Sequence, residues 1–96
     1  MKLEKMLSVT DSHMQKYTAL LASNVIDQVP QAIRNKLDLS NVELAAMQTE
    51  LQIASEQKAG NMKALASKHA SCTAAFAKAA ADVSSIIEMI HPVSVD

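Results

Sequence analysis

Apolar residues recur along this chain at steps of three and four. From Leu3 through Met6, Leu7, Met14, Tyr17, Leu20 and Leu21 to Val25 they fall on one face of a helix, and the period predicts a long N-terminal helix over residues 2–28. Ser8 with Asp11 three positions on has the form of a capping box, so the first turns are expected to fray or to restart there. Pro30 disfavours helical geometry at Val29 and lacks a backbone donor, which sets Val29 as the latest end of that helix. Beyond it, Ile33 and Leu37 stack at i,i+4 and predict a short helical corner up to residue 37, where the chain turns around.

Ser40-Asn41-Val42-Glu43 is the clearest local signal. Ser40 can accept from the amide at position 43, and the Glu43 carboxylate can reach back to the Ser40 amide while facing the positive end of the dipole. A helix is therefore expected to begin at Ser40, with Leu44, Met47, Leu51 and Ala54 on one face. At about 100° per residue, Val42, Ala46 and Ile53 fall roughly opposite. A helix that is apolar on two sides is expected to have neighbours on two sides.

From Met62 the spacing is the most regular in the chain: Met62, Leu65, His69, Cys72, Phe76, Ala79, Val83, Ile86 and Ile90 alternate steps of three and four. That is a heptad seam, and Ala66, Thr73, Ala80 and Ile87 widen it. The breadth suits a bundle of three or more helices better than a two-stranded coil. Lys58-Ala59-Gly60-Asn61 interrupts the phase. Either Gly60 is a left-handed cap and Asn61 starts a new helix, giving an antiparallel hairpin, or one helix runs from 41 to 91 with a stutter at the glycine. A polar break in an otherwise regular seam favours the hairpin.

Composition narrows the function classes. The chain has 96 residues, one glycine and two aromatic residues, Tyr17 and Phe76. A lone glycine leaves no phosphate-cradling loop or dinucleotide fingerprint. Nine basic against ten acidic residues, evenly spread, give no electrostatic footprint for a duplex. The lysines at 58, 63, 68 and 78 make only a weak basic face, since Lys63 and Lys78 lie about 60° apart around a helix and the others elsewhere. No apolar run approaches the ~20 residues of a membrane span. The charged N-terminal segment Met1-Lys2-Leu3-Glu4-Lys5 is unlike a Sec signal peptide, and a single cysteine gives no reason for an oxidising compartment. A cytoplasmic chain is expected, with export by a route independent of a signal peptide left open.

The candidate chemistry is sparse. His69 and Cys72 are three apart and can face the same way, but zinc needs four ligands and no second pair stands at a recognisable spacing. Both also fall in the seam, where a cysteine is a small apolar residue. As a nucleophile and base they lack the glycine-rich elbow and oxyanion hole of acyl transfer. His13 is remote in sequence, and His91 is explained by a helix C-terminus. Glu43, Glu50 and Glu56 lack the Glu-x-x-His pattern of a carboxylate metal bundle. Six methionines fit either core filling or a surface that repacks against a partner. Alanines at 74, 75, 77, 79, 80 and 81 permit close helix approach yet bury little area each. A small domain built on them gains from association.

The sequence therefore predicts an all-α protein, a small helical bundle in one domain over 1–91 with a tail at 92–96, and oligomeric. Its long N-terminal helix, short helical corner and C-terminal hairpin, or the single stuttered helix, present wide apolar stripes. The expected interaction face is Leu44, Met47, Leu51 and Ile53 together with Leu65, Phe76, Ala79, Ala80, Val83, Ile86, Ile87 and Ile90. The expected function is a non-enzymatic protein–protein interaction module, without cofactor or metal, that completes those faces with another copy of itself or a partner helix. A dimeric nucleic-acid-associated regulator is the alternative. In size and layout the chain resembles small helical chaperones and structural components of bacterial secretion machines, and small phage adaptors; the resemblance implies a chaperone, adaptor or structural subunit. The Trp-x-Gly turn of the secreted helical-hairpin family is absent.

Overall fold

The computed structural model describes residues 2–57 and 61–90, which are all-helical apart from short connections. Helix α1 spans Leu3–Leu21, a 3-10 turn covers Ile26–Gln28, α2 spans Gln31–Gln57 and α3 spans Met62–Ile90. Each helix packs on the other two. No helix among them is long and apolar enough to cross a membrane.

Two of the expected boundaries are corrected, the end of the first helix and the start at Ser40. The N-terminal helix begins at Leu3, as its apolar period places it, without a side-chain cap or a restart at Ser8. Packing replaces capping there: Leu3 and Leu7 lie on a cluster of Met6, Met47 and Leu51, so the first turns are held by burial. The helix also stops at Leu21, well before residue 28. The apolar spacing continues through Val25, but Ser23 intervenes, and its hydroxyl oxygen accepts from the Val25 amide at 3.4 Å. Local side-chain bonding of this kind competes with helix propagation. Val29 is extended (φ −75°, ψ 131°), as a residue before proline should be, and is buried in the main core cluster.

The second correction concerns Ser40. There is no separate corner followed by a new helix: α2 runs unbroken from Gln31 to Gln57, with Ser40 in its interior. Pro30 sits just ahead of it, and its carbonyl accepts from the amides of Ile33 and Arg34 at 3.0 and 3.1 Å. Continuity is enforced by burial, because Leu37 and Leu44 are two turns apart on one face and both are fully buried in the same cluster. A break between them would turn one of the two away from the core.

Helix α3 starts as its sequence suggests. The Asn61 side-chain oxygen accepts from the amides of Lys63 and Ala64 at 3.0 and 3.1 Å, satisfying two donors of the first turn. The expected role of Gly60 as a left-handed cap, and the expected tail at 92–96, lie outside the described residues. Helices α2 and α3 run in opposite directions. Leu37 and Leu44 share a cluster with Phe76, Ala79, Ala80 and Val83, while Met47 and Leu51 further along α2 meet Leu65, Ala66 and Cys72 near the start of α3. Lys68 Nζ donates to both carboxylate oxygens of Glu50 at 2.8 and 3.0 Å across the same interface. Helix α1 lies parallel to α3, its Met6 end beside Leu65 and its Met14–Leu20 end beside Phe76 and Ile86.

Candidate functional site

Helix α2 packs an apolar face on its two neighbours and carries a second, narrower apolar strip among the polar residues of its outer side. Leu37, Leu44, Met47, Leu51 and Ala54 face inward and are buried. Leu39, Val42 and Ile53 are 65, 63 and 47% exposed, and Ala46 is exposed with them. At about 100° per residue these four fall within a wedge of roughly 60°, centred about 140° around the helix from the buried face. Isolated surface leucines need no explanation, but large residues aligned along four turns of one face do.

Both ends of this stripe open into shallow grooves between α2 and α3. Ile53 shares one of about 470 Å³ with Ala54, Ala64, Leu65 and the Glu50–Lys68 pair. Leu39 shares another, of about 320 Å³, with Ala75, Ala79 and the charges of Lys36, Lys78 and Asp82. An apolar strip bordered by side chains of both signs has the anatomy of a protein interface, an apolar centre inside a polar rim.

The residues expected to form the interaction face sort differently. Leu44, Met47, Leu51, Phe76, Ala79, Ala80 and Val83 are buried inside the chain's own bundle. Leu65, Ile86, Ile87 and Ile90 are half-buried, the first three against the core clusters. Only Ile53 is exposed. Leu39 was not singled out, because a helix placed to start at Ser40 leaves it outside the periodic segment; extending the period back through Leu37 finds it.

The titratable side chains of Cys72, His69 and Tyr17 are held within the helix packing. Cys72 packs between the two core clusters. Burial first, then the Glu43 carboxylate, push its thiol pKa up; Lys68 opposes them and Glu50 adds the least, so it is a poor thiolate source. His69 is buried, and its carbonyl accepts from Thr73 Oγ1 at 2.9 Å. Tyr17 donates to Asp38 Oδ1 at 2.7 Å, tying α1 to α2. That bond first, then burial and the carboxylate charge, raise the phenol to about 12. Among the described residues no group of three His, Cys, Asp or Glu is placed to hold a metal. The lysines of α3 do not share a purpose, since Lys68 is turned to Glu50 and Lys78 lies at the Leu39 groove.

Compared with known proteins, the chain matches no family model, no curated protein and no solved structure.

Proposed function

We propose that this chain is a non-enzymatic helical interaction module whose outer α2 stripe is covered by a second copy of the chain. The observation that carries this reading is the alignment of Leu39, Val42, Ala46 and Ile53 opposite a face that is already fully packed. Two further features support a second copy as the occupant. A net charge of −1 offers little long-range repulsion between copies. The small Ala46 lies midway between Leu39 and Ile53, so a two-fold axis near it would bring each large residue against its counterpart's opposite end.

Dilution of ¹⁵N-labelled protein tests the assignment. Amide shifts that change with concentration and cluster at residues 39–53 are expected. Shifts independent of concentration over the micromolar to millimolar range overturn self-association; if an unrelated helical protein then perturbs the same amides, the stripe is a hetero-partner site instead.

A further inference from the structure

A separate groove lies between α1 and α3, away from the outer stripe of α2. Its volume is about 430 Å³, within the ~300–1,000 Å³ common for small-molecule sites. Met6 and Val9 wall it on α1, and Ala66, Ala70, Ala74 and Ala77 floor it on α3. Their spacing of four, four and three keeps them on one helix face, and Thr73 beside them turns its hydroxyl to the His69 carbonyl, so the floor is mainly methyl groups.

Small residues alone mark nothing more than a place of close approach. What distinguishes this groove is His69, which lines it, is 4% exposed and has an Nε2 atom buried without a hydrogen-bond partner. A bonding group entering the groove would relieve that deficit. His13 supplies a second imidazole, stacked at a tilt on Phe76 with centroids 5.3 Å apart. Burial first, then the charges of His69 and Lys16, lower its pKa. No carboxylate lines the groove. The helical period places Lys5 and Lys16 on the Val9 side of α1 and Lys63 at the head of the alanine face, all three exposed. None of the three joins an ion pair among the described residues.

We infer that this groove binds a small amphiphilic carboxylate, its alkyl chain laid over the alanine floor and its head group accepting from His69 Nε2 beside His13. The lysines around the groove and the lack of a lining carboxylate favour an anionic head, which His69 serves as donor in its Nε2–H form. A multiply charged head such as phosphate demands more donors than one buried imidazole provides. A metal ion is disfavoured by the lack of a third ligand of the His, Cys, Asp or Glu type among the described residues. The long, open, methyl-lined floor requires an apolar body of several carbons.

Titrating the full chain with decanoate, below its micelle-forming concentration, tests this by ¹H–¹³C spectra of the imidazoles. The His69 and His13 resonances are expected to shift saturably. Acetate, which is the head alone, should shift neither at equal concentration, and decanol, which keeps the chain and loses the charge, should bind at least ten-fold more weakly. Ala70→Leu fills the groove from an exposed position and should retain helicity by circular dichroism while losing the saturable shift. His69→Gln, followed through His13, should weaken binding at least ten-fold. Absence of a saturable shift with decanoate, equal affinity for decanol, or unchanged binding by Ala70→Leu would each overturn the assignment.

Discussion

Leu37, Leu44, Met47 and Leu51 on one face of α2 are at most 2% exposed, whereas Leu39, Val42 and Ile53 on the other face of the same helix are 47 to 65% exposed. The residue types are alike and the helix is continuous, so hydrophobicity does not separate the two sets. Geometry does. Helices α1 and α3 both pack on α2, and two neighbours reach only about half of a helix's circumference. The side they leave is mostly polar, as on a typical surface helix, but carries Leu39, Val42, Ala46 and Ile53 as a strip among its polar residues. The inner face accounts for the fold of one copy; the outer strip takes no part in it and is the face we propose a second copy covers.

Substitutions can break the contrast from the inner side first. Leu44→Ala removes a fully buried side chain from the cluster with Phe76 and Val83. It is expected to cost about 2–5 kcal/mol, a large share of the ~5–15 kcal/mol that stabilises a typical domain. Urea denaturation should show the midpoint falling steeply or the folded baseline disappearing. Next in size is Asn61→Ala, which orphans the Lys63 and Ala64 amides and loosens the start of the helix that covers the inner face. A loss of about 1 kcal/mol is expected, read as a melting temperature lower by ~4–8 °C.

A smaller effect comes with pH. The pKa of His13 is lowered from 6.5 in the folded chain, mainly by burial and secondarily by His69 and Lys16. The unfolded chain then takes up its proton first. Stability is complete above pH 6.5 and declines as pH falls below it, until the folded imidazole also protonates. Melting curves between pH 7.5 and 5 should show that decline, and His13→Gln should flatten the part of it that this imidazole contributes. The smallest effect on the isolated fold belongs to the outer face. Leu39→Ala should move the stability of a diluted, monomeric sample by no more than about 0.5 kcal/mol. A loss near that of Leu44→Ala would erase the distinction between the faces.

Much of this architecture was legible in the spacing of apolar residues. The seam from Leu65 to Ile86, the cap at Asn61 and the inward set of Leu44, Met47, Leu51 and Ala54 all follow from period and local chemistry, whereas Met62 at the seam's start is 40% exposed. Helix boundaries were less legible, for a physical reason in each case. Ser8 and Ser40 carry the local pattern of a helix start, yet Leu3 and Leu7 in one place and Leu37 with Leu44 in the other gain more from a continuous buried face than a cap supplies. Ser23 shows the reverse, a side-chain bond to Val25 that coincides with the helix ending while the apolar period continues. The outer stripe was half visible, as Val42, Ala46 and Ile53, and Leu39 was lost with the boundary at Ser40. The groove at His69 was not legible at all. The seam position identified His69 as a core residue, and only the packing of α1 beside α3 reveals a buried Nε2 with no partner.

The central claim, that the outer face of α2 is where copies of the chain meet, is tested most directly by light scattering across a concentration series, with wild type beside Val42→Lys. Lysine is a good helix former, so this exposed substitution should leave the helical signal intact. Wild type is expected to approach twice the 10.3 kDa chain mass as concentration rises, while the variant stays at one chain. A wild type that remains a single chain throughout, or a Val42→Lys variant that associates as readily, would contradict the account.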